Sequence, residues 1–201
     1  MTRAVAWDVD GTLVDSEGLH HRALMDVSAR YHVRVAPDDE RFIGVSMDQV
    51  WRLLRGSYPA ELTEREWERA ITLEYLARAS QLRAFAGALE TLAALQQSGI
   101  LQCCVSNSSR AIVAANLEAI SAAPFFAFAI TRDDVVQGKP DPEPYREACA
   151  RLQSAPAEVL VVEDSATGIA AARAAGCPVV RFGAEFAGYP EVLSAVLGRS
   201  V

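Results

Sequence analysis

The sequence predicts an α/β protein in which a doubly wound parallel sheet carries an inserted α-helical domain. Short apolar, β-rich runs recur after helix-like stretches, and they lack the polar alternation of half-exposed strands. One long stretch has helical periodicity and no convincing strand. Alternating strands and helices are typical of a parallel sheet covered on both faces. Such sheets bind ligands at the carboxyl ends of their strands.

Five apolar runs predict the strands, and four punctuated stretches predict the core helices. Helix ends are indicated by Gly99 and Gly176, which follow two of these stretches, and by prolines in the first turn of a third. The predicted strands cover residues 4–9, 101–105, 126–130, 159–162 and 178–182, and the predicted helices cover 87–97, 109–120, 142–152 and 166–175.

Residues 16–84 predict a helical insertion. Apolar side chains such as Val50, Leu54, Trp67 and Ile71 recur at helical spacing, with charged residues between them. We therefore predict a core formed by residues 1–15 and 85–201 and a helical cap formed by 16–84. Because the insertion follows the first strand, its two ends must meet near the top of the sheet, where it can act as a lid.

The overall composition narrows the classes of partner. A chain of 201 residues suits one core plus a small insertion, and its formal net charge of −7 argues against a basic track for nucleic acid. No apolar run approaches the roughly 18 residues of a membrane span, and no basic and apolar leader begins the sequence. We expect a cytoplasmic protein that binds neither nucleic acid nor membrane.

The first predicted strand leads into two carboxylates. Asp8 and Asp10 are two residues apart, so an extended chain directs both into one pocket, and Gly11 permits a sharp exit. Two like charges at about 4 Å repel by roughly 4 kcal/mol at an effective dielectric of about 20. A divalent cation such as Mg²⁺ relieves this repulsion. Alternatively, the same residues only shape a turn.

Polar residues follow three more predicted strands. Glu163 and Asp164 end one strand beside a helix start, Ser106 opens a hydroxyl-rich loop suited to phosphate oxygens, and Lys139 lies between Gly and Pro. Each could instead be a helix cap or a solvated loop residue. Together they converge on one rim of the sheet. Four acids against one lysine would repel a phosphate dianion, so the charge balance predicts that activity requires Mg²⁺.

These clusters, in this order, resemble the haloacid dehalogenase-like hydrolase superfamily. The matching motifs are D-x-D-G-T at 8–12, the serine after the second core strand, G-K-P-D-P at 138–142 and the acidic pair before an Ala-rich helix. The resemblance implies that Asp8 is the nucleophile, that Asp10 is the general acid and base, and that Ser106 and Lys139 hold the phosphoryl group. It also implies a Rossmann-like core and metal ligation by Asp8, Asp10 through its backbone carbonyl, Glu163 and Asp164.

Within the superfamily the chain is similar to sugar-phosphate phosphatases and to members like β-phosphoglucomutase. This similarity gives a predicted substrate-binding set of Gly11, Thr12, Asn107, Ser108 and His20. The histidine matches a hinge residue that the mutases use to gate the general acid. Ordinary packing on a helix surface is an equally good explanation for it.

Three functions remain open. The leading prediction is an Mg²⁺-dependent phosphatase that hydrolyses a small phosphorylated metabolite, such as a sugar or polyol phosphate, through an aspartyl-phosphate. A phosphomutase is less favoured because Met47 stands where mutases place an arginine for a second phosphate. A receiver-like phospho-acceptor domain fits poorly with the insertion and with Asp10. The particular substrate and the oligomeric state are left open by the sequence.

Overall fold

The computed structural model describes residues 2–42, 45–183 and 188–198, and its central feature is a parallel sheet. In the described residues the sheet has five strands in the order β3-β2-β1-β4-β5. These strands are β1 (Ala4–Trp7), β2 (Leu101–Val105), β3 (Ala129–Ile130), β4 (Val159–Glu163) and β5 (Val179–Arg181). Each neighbouring pair is parallel. The predicted α/β fold class is confirmed.

Eight α-helices accompany these strands in the part of the chain that the structure describes. Three belong to the insertion: α1 (Glu17–Arg30), α2 (Met47–Leu54) and α3 (Glu64–Leu76). The others are α4 (Ala88–Gln97), α5 (Arg110–Ala119), α6 (Glu143–Arg151), α7 (Ala166–Ala175) and α8 (Tyr189–Leu197). Within the described ranges, none of them combines the length and the apolar character needed to cross a lipid bilayer.

The sheet is doubly wound, with helices covering both of its faces, and successive residues of β1 face opposite sides. Ala4 and Ala6 of β1 pack in a buried cluster with side chains of α6 and α7, such as Tyr145 and Ala172. On the other face, Trp7 donates from its indole N–H to the Gln102 amide oxygen at 3.0 Å, and its ring lies 6.3 Å from that of Tyr189 in α8. Both faces of β1 are therefore buried, which explains its continuous apolar sequence.

The register of the strands aligns the polar residues that follow β1, β2 and β4 at the same edge of the sheet. Trp7, the last residue of β1, pairs with Cys104 of β2 and with Val162 of β4. The next residue along, Asp8, therefore lies beside the ends of both neighbouring strands. Since β1 is central, residues that follow three strands meet at this point.

The chain divides into two compact units, Met1–Asp15 with Arg83–Val201 and Ser16–Leu82. The helical unit has its own aromatic core, in which the rings of Trp51, Tyr58 and Trp67 lie within 6.2 Å of one another. Its helix α3 begins at a capping box, where the Thr63 and Glu66 side chains each accept from the other residue's backbone N–H. These contacts give the insertion a core of its own.

Two elements differ most from the sequence-based prediction, while β1 and β5 are each shorter than predicted by two residues. The third strand was predicted over 126–130, but only Ala129–Ile130 is strand, although Ala127 N–H still donates to Gln102 O of β2 at 2.9 Å. Helix α8 was not predicted. Its position is defined by contacts of Tyr189 with the core, which a local sequence pattern does not record.

Candidate active site

Asp8 occupies the middle of the rim. Its backbone N–H donates to Val162 O at 3.0 Å, which extends the sheet by one residue and fixes the direction of the side chain. That side chain is buried, and its Oδ1 accepts from Lys139 Nζ at 2.7 Å. Burial raises the pKa of Asp8 well above its usual value, Lys139 opposes this rise, and Glu163 and Asp164 add to it.

Lys139 uses its ammonium group to connect two acids. Nζ donates to Asp8 Oδ1 and Glu163 Oε1, both at 2.7 Å, and to the carbonyl oxygen of Val105 at 2.8 Å. Burial alone would lower the pKa of Lys139, but the charges of Asp8 and Glu163 outweigh burial and hold it well above its usual value. The lysine is therefore a fixed positive charge beside Asp8.

The loop that carries Lys139 is held by Asn107. The Asn107 side-chain amide donates to Lys139 O at 2.9 Å, and its oxygen accepts from Lys139 N at 2.8 Å. Gly138 makes this approach possible, because a Cβ there would lie 2.7 Å from Asn107 Oδ1. The side chain of Asn107, predicted to bind substrate, is thus engaged by the lysine loop, and a substrate contact through it stays a prediction.

Glu163 lies under the rim with no exposed surface. Its Oε1 accepts from Lys139, and its Oε2 accepts from the backbone N–H and the hydroxyl of Ser165 at 2.7 and 2.9 Å. Helix α7 can begin directly above it because residue 168 is glycine. Both carboxylate oxygens already have donors, so the geometry favours an orienting role for Glu163 over direct metal ligation, which remains a prediction.

Asp164 faces the loop that follows β1. Its Oδ1 accepts from the Thr12 hydroxyl at 3.2 Å, and Thr12 is itself fully buried. Gly11 has a φ of 82°, and a Cβ at that position would lie 2.4 Å from Asp164 Oδ2. Gly11 and Thr12, predicted to bind substrate, thus shape the position of Asp164. Burial, followed by the charge of Glu163, raises the pKa of Asp164 to about 6.

The donor set fits a hard divalent cation. Asp8, Glu163 and Asp164 each offer a carboxylate oxygen, and these oxygens lie within 4.8 Å of one another. Burial is the largest cause of the raised pKa values of Asp8 and Asp164, and the charge of neighbouring acids adds to it. Oxygen ligands in a partly enclosed, anionic site are what Mg²⁺ prefers.

The Asp10 carboxylate points to a different set of partners. Its Oδ2 accepts from the hydroxyls of Ser108 at 2.9 Å and Ser106 at 3.3 Å, and its Oδ1 accepts from the Asn116 amide at 2.9 Å. The Ser106 hydroxyl also accepts from the Ser108 N–H at 3.0 Å. The predicted general acid is therefore brought together with Ser106, predicted to hold the phosphoryl group, and with Ser108 of the predicted substrate-binding set.

Two residues at this site were not identified from the sequence. Asn116 is fully buried on α5, although a polar residue between the buried Val113 and Leu117 could have drawn attention. Tyr145 of α6 is also fully buried, and its hydroxyl lies 3.5 Å from Glu163 Oε1. Its position in an apolar helix face gave no functional signal.

His20 lies in the helical unit. It is part of α1, and its ring centroid lies 4.3 Å from that of Tyr75 of α3 at an interplanar angle of 30°. This packing gives the histidine a structural environment within the insertion. Its predicted contact with substrate stays a prediction.

The site thus consists of a buried aspartate paired with lysine and flanked by two more acids at the carboxyl ends of parallel strands. A family model described as haloacid dehalogenase-like hydrolase matches residues 2–176. The chain belongs to this family, and it is an enzyme of the phosphomonoester hydrolase class.

Similar proteins agree with this assignment. The chain is 31% identical over 186 residues to a phosphoglycolate phosphatase from Thiobacillus denitrificans, and the match covers 88% of this chain and 81% of that protein. The crystal structure of CbbY from Rhodobacter sphaeroides in complex with phosphate has a TM-score of 0.81 and 30% identity, covering 94% of this chain and 92% of that one. A mutant of CbbY in complex with xylulose-(1,5)bisphosphate has a TM-score of 0.81 and 28% identity, covering 91% and 88%.

Proposed function

We propose that this enzyme hydrolyses a small phosphorylated metabolite, a sugar or polyol phosphate or a related phosphorylated acid, through a phosphoryl group carried on Asp8. The observation that carries the proposal is the environment of Asp8. It is a buried carboxylate at the end of the central strand, with an ammonium group at 2.7 Å and further acids around it. A structural ion pair would not need the two additional carboxylates.

The proposed reaction has two balanced steps. In the first, a carboxylate oxygen of Asp8 forms a bond to phosphorus, the bond from phosphorus to the ester oxygen breaks, and Asp10 gives its proton to that oxygen. In the second, a water oxygen forms a bond to phosphorus, Asp10 takes a proton from this water, and the bond to Asp8 breaks to release phosphate. Lys139 and the hydroxyl of Ser106 offset the charge on the phosphoryl oxygens.

Mg²⁺ fits this proposal as a resident cofactor. Asp8, Asp164 and the backbone carbonyl of Asp10 would hold it, with Glu163 orienting Lys139 beside them. When bound, the ion would neutralise phosphate and carboxylate charge so that the nucleophile and the phosphoryl group can approach one another. The requirement is supported by the two further carboxylates that lie close to Asp8, against which the protein sets the ammonium group of Lys139.

The substrate class is supported by the similar proteins. Phosphoglycolate, the substrate in the name of one, is a small phosphorylated acid, and xylulose-(1,5)bisphosphate, the ligand of another, is a small phosphorylated sugar. We place the substrate of this chain in the same size range. A hydrolase is favoured over a mutase because Met47 offers no donor for a second phosphate.

A substrate panel tests the proposal. Purified protein with Mg²⁺ is assayed for phosphate release from 2-phosphoglycolate, pentose and hexose phosphates, glycerol phosphate and xylulose-(1,5)bisphosphate. We expect turnover of at least one of these, lost when excess chelator is added and restored by excess Mg²⁺. Turnover that survives the chelator would contradict the metal role. Conversion of β-glucose 1-phosphate with a bisphosphate primer, without phosphate release, would indicate a mutase instead.

A further inference from the structure

We propose that Asn116 is a positioning residue that fixes the orientation of the Asp10 carboxyl group, so that Oδ2 faces the leaving group of the substrate. The inference rests on the proposed phosphatase function and names a residue that acts through Asp10. It follows from which donors meet each of the two carboxyl oxygens.

The Asn116 amide is a rigid donor. Its side chain has no exposed surface, and it lies on α5 between Val113 and Leu117, which are both buried. From there Nδ2 donates to Asp10 Oδ1 at 2.9 Å, across 106 positions of sequence. A helix-borne, fully buried amide cannot swing away without leaving its polar atoms unpaired, which is costly.

The other oxygen of Asp10 has partners that can reverse their roles. Oδ2 accepts from the hydroxyls of Ser106 and Ser108. A hydroxyl rotates to donate or to accept, whereas an amide NH₂ group only donates. A carboxyl group that carries its proton on Oδ2 can therefore keep both sets of partners, with a serine now accepting. The same proton on Oδ1 would face the donor of Asn116.

The position of Ser106 shows which of the two Asp10 carboxyl oxygens lies nearer to the reacting phosphoryl group. In the proposed function its hydroxyl holds a phosphoryl oxygen, so the oxygen of Asp10 that it contacts, Oδ2, lies on the phosphoryl side. Asn116 contacts the opposite oxygen. Without the amide, Oδ1 loses this donor, so the orientation of the carboxyl group is less tightly fixed and fewer molecules present the proton to the leaving group.

Matched esters with different leaving groups test this role. Phenyl phosphate has a poor leaving group that needs a proton, and 2,4-dinitrophenyl phosphate has a good one that does not. We expect Asn116→Leu, which keeps the branched shape of the side chain but removes its donor, to lower kcat/KM for phenyl phosphate at least about tenfold, since general acid catalysis contributes about 10²–10⁴-fold. For dinitrophenyl phosphate kcat/KM should change less than about threefold. The value of kcat/KM reports only the steps up to formation of the phosphoenzyme, so the later hydrolysis of that intermediate does not affect it.

Two further variants separate positioning from folding. Val113→Ala removes packing from the preceding turn of α5 and should leave the ratio of the two kcat/KM values unchanged. Asn116→Ala repeats the test if the leucine variant does not fold, with circular dichroism to verify the fold. An equal loss for both esters in the folded Asn116 variants would overturn the proposal. Wild-type protein that cleaves neither ester, nor any member of the metabolite panel, would instead refute the phosphatase function itself.

Discussion

Asp8, the proposed nucleophile, has a charge that opposing neighbours control. Burial and the nearby acids Glu163 and Asp164 disfavour its ionised form, whereas Lys139 favours it. The ammonium group is shared with Glu163, so a single lysine serves two carboxylates. Protein groups alone leave the cluster anionic, so we expect that a cation must bind before a phosphate dianion can approach.

The substitution Asp8→Asn should abolish turnover while the fold persists. An amide keeps the shape of the carboxylate but cannot attack phosphorus, so kcat should fall at least about a thousandfold. Lys139 keeps its contacts with Glu163 and the Val105 carbonyl, which preserves the local structure. Phosphate release and circular dichroism measure the two effects.

A matched variant controls for the loss of one negative charge. Asp38→Asn makes the same chemical change at an exposed position of the helical unit and should retain wild-type kcat. Comparable activity in Asp8→Asn and Asp38→Asn would remove Asp8 from the nucleophile role.

At the scale of elements, helix α7 owes its position to a missing side chain. Gly168 lies in its first turn, donates its N–H to the Ser165 hydroxyl at 3.0 Å, and lies over the buried Glu163. A Cβ at this position would lie 1.5 Å from Glu163 Oε1. The helix can therefore start above the acid only if residue 168 is glycine.

Gly168→Ala should impair both stability and activity. The methyl group forces Glu163 aside, and Lys139 then loses one of its three acceptors. We expect destabilisation of about 1–3 kcal/mol, typical of overpacking, and at least about a tenfold fall in kcat. Thermal melting and phosphate release provide the measurements.

Gly18→Ala is the matched control, because it makes the same substitution in the first turn of another helix. Gly18 lies in the first turn of α1 and is exposed, and a methyl group added there would meet no atom of the described residues within 4 Å. There the substitution should stabilise the protein by about 0.4–1 kcal/mol, because it restricts the unfolded chain. Similar effects of the two substitutions would show that Glu163 yields easily and does not restrain α7.

The elements were predictable to different degrees. Strand β2 was predicted with its observed bounds and α7 with its observed bounds, because each is an apolar or Ala-rich run closed by a glycine or a polar loop. Helix α8 was not, since its start at Tyr189 depends on tertiary contacts with Thr12 and Trp7 rather than on a local signal. Local propensity is a weak guide where packing decides.

At the scale of the whole molecule, the sequence predicts which residues lie at the rim of the sheet. It does not predict which partner each of their side chains contacts. Parallel strands force residues such as Asp8, Ser106 and Asp164 to one edge, and the sequence shows which polar residues follow each strand. Which atom each side chain contacts depends on pairs far apart in sequence, such as Asn107 with Lys139 and Asn116 with Asp10. Loop and helix packing decide those pairs, and single-sequence patterns do not encode them.

Metal binding should change the stability of the folded protein in a pH-dependent way. Asp164 has a pKa of about 6 when folded, against an ordinary value of 3.8. When the pKa of a carboxyl group is higher in the folded protein than in the unfolded chain, the free energy of unfolding falls as pH rises from the unfolded pKa through the folded pKa. The reason is that the unfolded chain releases the proton first. Without Mg²⁺, Asp164→Asn should therefore melt above wild type at pH 7, and this advantage should disappear near pH 4.

Mg²⁺ should reverse that order, because it binds the ionised carboxylates of the folded state and competes with protons for Asp164. At a concentration 100 times its Kd, a ligand that binds only the folded state stabilises by about 2.7 kcal/mol. We expect wild type to gain thermal stability with Mg²⁺ at pH 7, to gain less below pH 6, and to exceed Asp164→Asn, which should respond weakly. Melting curves of both proteins at pH 4–8, with and without Mg²⁺, measure this. An equal response of the two proteins to Mg²⁺ would place the ion away from Asp164. It would contradict the proposal that residues following β1 and β4 share one Mg²⁺ site.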